Sequence, residues 1–186
     1  MPIHPWHLRE AARHFHNGGL IAYPTEAVYG LGCDPLNWRA VRHLLQLKQR
    51  SMDKGLILIA ARFEQLRPYI TEPDQKVMQE VHASWPGPAT WLLPAAPDAP
   101  LWLTGRHNSL AVRVTDHPLA AALCNACDSA LVSTSANISG HTPARTPLDV
   151  YQQFDNQLEY ILHGPVGSLG QPTPIRDALN NRLIRG

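Results

Sequence analysis

The sequence predicts a mixed α/β fold in one domain spanning residues 1–186. Three observations support that expectation. Short apolar runs of strand length recur along the chain and are bounded by Pro, Gly or Asn. Several segments between them carry apolar residues at helical spacing behind capping residues. Hydrophobic residues make up 44% and charged residues 17%, enough apolar material for a core.

Leu8, Ala11, Ala12 and Phe15 lie at helical spacing, which predicts a helix from Pro5 to about His16 that Asn17-Gly18-Gly19 ends. Leu20 to Tyr23 is an apolar run stopping at Pro24 and predicts a buried strand. Thr25 to Gly32 reads as a loop whose two glycines allow close backbone approach. Asn37 is placed to cap a helix carrying Val41, Leu44, Leu45 and Leu47, and Gly55 to Ala60 reads as an interior strand. Short helices are expected at 63–69 and 73–85, followed by a turn at Trp85-Pro86-Gly87-Pro88. Strands are expected at 89–93, 109–114, 130–134 and 158–163, and a helix from Pro147 to Phe154 behind Thr146. Gly164 to Gly170 is a glycine-spaced loop, and 175–184 suggests a hairpin turning at Asn180-Asn181.

A formal charge of +1 argues against a protein that coats nucleic acid over its whole surface, though it leaves room for a local basic face. The N-terminus lacks the charged and apolar regions of a signal peptide, and no apolar run approaches the ~20 residues that cross a bilayer. A soluble, cytoplasmic protein without a membrane partner is expected. Cys124 and Cys127 have C-x-x-C spacing, but no second pair accompanies them, so they read as two small apolar residues on a helix. The ten histidines form no metal-ligand motif, and no metal site is expected.

Three segments carry candidate chemistry. In the first, Lys48, Arg50 and Lys54 cluster where a helix ends. They either complement the dipole of that helix or converge on a polyanion, for which arginine offers a planar fork and lysine a mobile charge. Arg39 and Arg42 can simply solvate the helix. The second is Ser133-Thr134-Ser135-Ala136-Asn137, four hydrogen-bonding side chains after a buried strand, where α/β sheets bind ligands and where such residues also shape turns. The absence of a G-x-S-x-G elbow disfavours a serine hydrolase. The third is Pro24-Thr25-Glu26-Ala27, a strand-end loop in which Thr25 can meet a polar ligand and Glu26 a local partner. Neither a P-loop nor a complete dinucleotide fingerprint is present.

Six blocks in order resemble the YrdC family: residues 24–32, the Lys48-Gln49-Arg50 motif with Lys54, residues 85–90, 111–114, 117–119 and 133–140. Ser51 and Gly55 stand where the family often has proline. With the chain ending near Gly186, the resemblance is to the short bacterial form. It implies a twisted mixed sheet flanked by helices, with a concave cationic face. It also implies an enzyme that joins L-threonine, bicarbonate and ATP into threonylcarbamoyl-AMP and releases pyrophosphate, with Mg²⁺ brought by ATP. Downstream proteins would carry the group to adenosine 37 of tRNA.

Carried over residue by residue, Lys48, Arg50 and Lys54 are the catalytic cations, and Thr25, Arg113 and Thr173 contact threonine. Lys48, Arg50, Ser133, Ser135, Asn137 and Arg145 contact the nucleotide. The rival readings are an RNA-binding module without catalysis on the same face, which would contact tRNA or another RNA directly, and a paralogue that transfers a carbamoyl group elsewhere.

Overall fold

The computed structural model describes residues 4–185; Met1 to Ile3 and Gly186, where the expectations about the chain ends fall, lie outside the described residues. The chain begins with α1 (Pro5–His16), which His4 caps and Asn17 ends. The next elements are β1 (Ile21–Pro24), β2 (Tyr29–Gly32), α2 (Trp38–Leu47), β3 (Ile57–Ala60), α3 (Gln75–Ala83) and β4 (Thr90–Pro94). Then come α4 (Leu101–Thr104), β5 (Ser109–Val114), α5 (Pro118–Cys127), β6 (Leu131–Ser135) and α6 (Pro147–Phe154), and finally β7 (Tyr160–Ile161), β8 (Ile175–Asp177) and β9 (Leu183–Arg185).

Local chemistry explains most boundaries. Asn37 accepts hydrogen bonds from the Arg39 and Ala40 amides at the start of α2. Thr146 and Asp149 form a reciprocal capping box around α6, whose first residue is Pro147. Between residues 63 and 69 the expected helix is two 3₁₀ turns, Phe63–Gln65 and Arg67–Tyr69, because Pro68 supplies no amide to continue an α-helical ladder. The short helix α4 carries no apolar periodicity and was not expected from the sequence.

The nine strands among the described residues join one mixed sheet in the order β7-β1-β2-β6-β3-β5-β4-β8-β9. β3 pairs parallel to β5 and antiparallel to β6, so strands distant in sequence meet at its centre. Alternate residues face opposite sides, as strand geometry requires. Leu58, Ala60 and Val132 pack in a large cluster with α2, α3 and α6. Ile59, Leu131, Ile21 and Tyr23 pack with α1 and α5. Both faces are therefore covered, which explains why the central strands are continuous apolar runs.

The segment read as a loop at 25–32 is instead a tight turn followed by β2, antiparallel to β1 and paired to β6. Two glycines in four residues hid the strand. Gly32 is needed there because a Cβ would strike the Val132 carbonyl and the Tyr23 ring. Cys124 and Cys127 are buried and free on α5.

Candidate functional site

The register of the central strands puts Ile57, Ser133 and Arg113 on one face of the sheet: Ile57 pairs with Ser133 and Ile59 with Arg113. Around them is a pocket of about 150 Å³ lined also by Thr25, Tyr29, Arg50, Ser135, Thr173 and Arg185. Six of the residues expected from the sequence thus share one pocket, namely Thr25, Arg50, Arg113, Ser133, Ser135 and Thr173. Lys48, Lys54, Asn137 and Arg145 do not line it.

Arg113 is the most buried of the guanidinium groups, with 6% of its surface exposed. One terminal nitrogen donates to the Thr173 hydroxyl, and the other lies 3.2 Å from Glu26 Oε2. Its Nε is buried with no hydrogen-bond partner, as is the Oε2 of Glu26. Glu26 was read as a loop carboxylate with a local partner; its partners are instead Arg113 and Thr115, brought to it by the sheet.

Arg50 also lines the pocket; its Nη2 donates to the Gly55 carbonyl at 3.0 Å, and its Nε is again buried without a partner. Its pKa is lowered first by burial and then by the charge of Arg185. Arg185, on the last strand, donates to the Thr173 carbonyl at 3.4 Å. Its pKa is lowered by burial and by Arg113. The hairpin was legible in the sequence, but the inward direction of Arg185 was not, since it follows from the register of an irregular pair.

Lys48 caps α2 and turns into the protein, 3% exposed. Its ammonium donates to the carbonyls of Ser135 and of Asn137, the latter at 2.7 Å. Burial, aided by Arg50, pulls its pKa down to about 8. Asn137 Oδ1 in turn accepts from the Ser135 hydroxyl at 2.6 Å, and its amide donates to the His141 carbonyl at 2.7 Å. Lys48 and Asn137 therefore hold the Ser133–Ser135 segment from behind. Lys54 is exposed on a 3₁₀ turn, because the chain reverses at Gly55 (φ 62°) and carries the side chain away. Arg145 is exposed beside Pro143, a pocket residue, and its amide donates to Asp149.

A strap crosses this region. Tyr29 Oη donates to the Gly164 carbonyl at 2.6 Å, Gly167 donates to the Thr25 carbonyl and Leu169 to the Glu26 carbonyl. A Cβ on Gly167 would sit 2.5 Å from the Glu26 carbonyl, so the strap can lie this close only with glycine there. His117 adds a further tie to the Pro165 carbonyl at 3.1 Å, and burial lowers its pKa. The strap delivers Pro172 and Thr173 to the pocket. On its other side is a larger groove of about 1080 Å³ beside β7, lined by Leu119, Ile161, Val166, Tyr151, Asp155 and Glu159 among others and by no arginine or lysine.

The sheet and its strand-end pocket define an α/β protein of the kind that gathers ligand contacts from distant strands. The chain belongs to the Sua5/YciO/YrdC family, whose model, described as telomere recombination, matches residues 13–185. It is 54% identical over 183 residues to a threonylcarbamoyl-AMP synthase of Methylococcus capsulatus, covering 98% of each chain. It is 52% identical to one of Nitrosococcus oceani over 97% of each. The crystal structure of P. abyssi Sua5 complexed with L-threonine superposes with a TM-score of 0.89 at 33% identity. That match covers 95% of this chain and 52% of the Sua5 chain, so this protein spans about half the length of Sua5. Among the described residues no helix is long and apolar enough to cross a membrane.

Proposed function

We propose that the whole chain, as one domain of residues 1–186 in the cytoplasm, is a threonylcarbamoyl-AMP synthase. The observation that carries this reading is the convergence of Arg50, Arg113 and Arg185 with the hydroxyls of Thr25, Ser133, Ser135 and Thr173 on one pocket. The threonylcarbamoyl-AMP synthases it resembles and the threonine-bound Sua5 support it.

The enclosed volume of about 150 Å³ is far below the ~300–1,000 Å³ of drug-sized sites. It suits an amino acid, with the nucleotide at the open mouth. In this reading Arg113 meets the threonine carboxylate, while Thr25 and Thr173 meet its polar groups. The amine takes up the carbon of bicarbonate with loss of water. A carbamate oxygen then attacks the α-phosphorus of ATP, and the bond to the β,γ-phosphate breaks to release pyrophosphate.

An anion attacking a polyanion needs fixed positive charge, which costs no reorganisation when it is held in place beforehand. Arg50 supplies it at the wall and Lys48 from behind the Ser133–Ser135 segment, whereas Lys54, exposed and turned away from the pocket, is left out of this reading. Ser133, Ser135, Asn137 and Arg145 hold nucleotide oxygens or the loops that do. Among the described residues lining the pocket there is no carboxylate, so Mg²⁺ would arrive on the triphosphate. The product, a mixed anhydride, would pass to proteins that modify tRNA adenosine 37.

The test is pyrophosphate release from purified protein with ATP, Mg²⁺, L-threonine and bicarbonate, each omitted in turn. Release that requires both threonine and bicarbonate is expected. Release indifferent to threonine points to transfer onto another acceptor. No release from folded protein that binds RNA in a salt-dependent way points to a binding module.

A further inference from the structure

The pocket's three guanidinium groups are not electrically equivalent. Among the described residues, neither Arg50 nor Arg185 forms an ion pair. Arg113 does, with Glu26, and both partners are almost fully buried (7% and 6% of side-chain surface exposed).

Glu26 does not line the pocket; it stands behind Arg113 and is itself held from three directions. Its Oε1 accepts the Thr115 hydroxyl at 2.5 Å. Its backbone carbonyl accepts the Leu169 amide at 3.1 Å, and Gly167 packs against its backbone. Its Oε2 makes no hydrogen bond and meets Arg113 as an ion pair at 3.2 Å, so the carboxylate held in this way sets where the guanidinium rests. Its negative charge also offsets that guanidinium's positive charge toward anything entering the pocket.

The second effect has a consequence for ligand choice. A bare guanidinium takes phosphate as readily as carboxylate, since its fork matches both. With three bare arginines around one small pocket, a phosphate group would compete with an amino acid for Arg113. A protein discriminates between ligands as much by what it disfavours as by what it attracts. A buried carboxylate beside Arg113 repels a dianion while leaving hydrogen-bond donors for a group whose net charge is zero.

We infer that Glu26 is a positioning residue that makes the Arg113 half of the pocket neutral, so that it accepts an amino-acid zwitterion and rejects phosphate. The polyanion is thereby confined to Arg50 and Arg185. This inference rests on the proposed synthase reading for the identity of the zwitterion, but the charge division itself is independent of it.

The experiment uses Glu26→Gln, which keeps the shape and removes the charge, with inorganic phosphate as the probe. In the wild type, phosphate should inhibit pyrophosphate release competitively with ATP and not with threonine. In Glu26→Gln the KM for threonine should rise about tenfold, that for ATP should change less than about threefold, and phosphate should become competitive with threonine. An unchanged threonine KM overturns the inference. So does a raised KM with the wild-type inhibition pattern, which would make Glu26 a structural support only.

Thr115→Val covers the case in which Glu26→Gln fails to fold, because it loosens the carboxylate without removing it. A threonine KM raised a few-fold with the wild-type inhibition pattern is expected, and phosphate competition with threonine in this variant overturns the inference. Calorimetric titration with phosphate, which needs no turnover, separates this inference from the synthase reading. Tighter phosphate binding by Glu26→Gln than by wild type supports the charge division, and equal binding refutes it, whether or not threonine-dependent release is seen.

Discussion

Arg113 and Arg185 line the same pocket, but one belongs to the core and the other to the rim. Arg113 lies on a central strand, is buried, and has a carboxylate and a hydroxyl as fixed partners. Arg185 lies on an edge strand whose residues are exposed, and it shares only a 3.4 Å contact to the Thr173 carbonyl. A buried charge must be compensated within the protein, and its compensation freezes its geometry. A rim charge is compensated by water and can adapt to a long, variable ligand. On the proposed reading, the core wall would recognise a small rigid group and the rim wall would capture a triphosphate.

Breaking the core wall should have the largest effect. Arg113→Ala leaves Glu26 buried and unpaired, so a loss of roughly 3–5 kcal/mol of stability is expected by chemical denaturation. Pyrophosphate release should fall more than about 100-fold, and a variant with normal release would remove Arg113 from the site. Lys48→Met should come next. It strips a donor from the Ser135 and Asn137 carbonyls, for an expected cost of roughly 2–4 kcal/mol.

The rim should behave differently. For Arg185→Ala, a KM for ATP raised about tenfold, equivalent to about 1.4 kcal/mol, is expected with the melting temperature within a degree or two of wild type. A large drop in melting temperature instead would place Arg185 with the core.

The smallest effect concerns pH. Burial lowers the pKa of His117 below its ordinary 6.5, so the folded protein keeps this ring neutral at pH values where the unfolded chain binds a proton. Stability from this group is complete above about 6.5 and is lost as pH falls through the lowered value. Stability measured by denaturation should be lower at pH 5.5 than at pH 7.5, and His117→Asn should reduce that difference. The ring's Nδ1 accepts the Ala120 amide at the start of α5, so a proton there opposes the cap as well as the burial. A variant with the wild-type pH slope would assign the loss to other groups.

Much of the fold was legible because its signals are local. Asn37, Thr146 with Asp149, and Asn17-Gly18-Gly19 mark helix ends through hydrogen bonds within a few residues. The apolar run at 109–114 is a strand with the expected bounds. β2 was read as a loop because glycine disfavours a strand unless another backbone comes close, and here the approaching strand is β6, about a hundred residues later. Of the site, the strand-end and cationic segments were readable and give Thr25, Arg50, Ser133 and Ser135 to the pocket, while Arg113 and Thr173 were expected only from the resemblance. Whether a given cation would face the ligand was not readable from spacing. Lys48 and Arg50 are two residues apart, yet one grips the backbone of β6 and the other lines the pocket.

The sequence by itself determined the element types, the strand-end loops that carry polar residues, and the six blocks that place the chain among its relatives. Those depend on backbone preferences, apolar periodicity and residue identity, which are properties of neighbours along the chain. Only the tertiary structure decided that Glu26 stands behind Arg113, that Arg185 completes the pocket and that Lys48 serves the loop beside it. Each of those contacts joins residues that only strand order and register bring together, and a buried charge is shaped by the partners it meets in space.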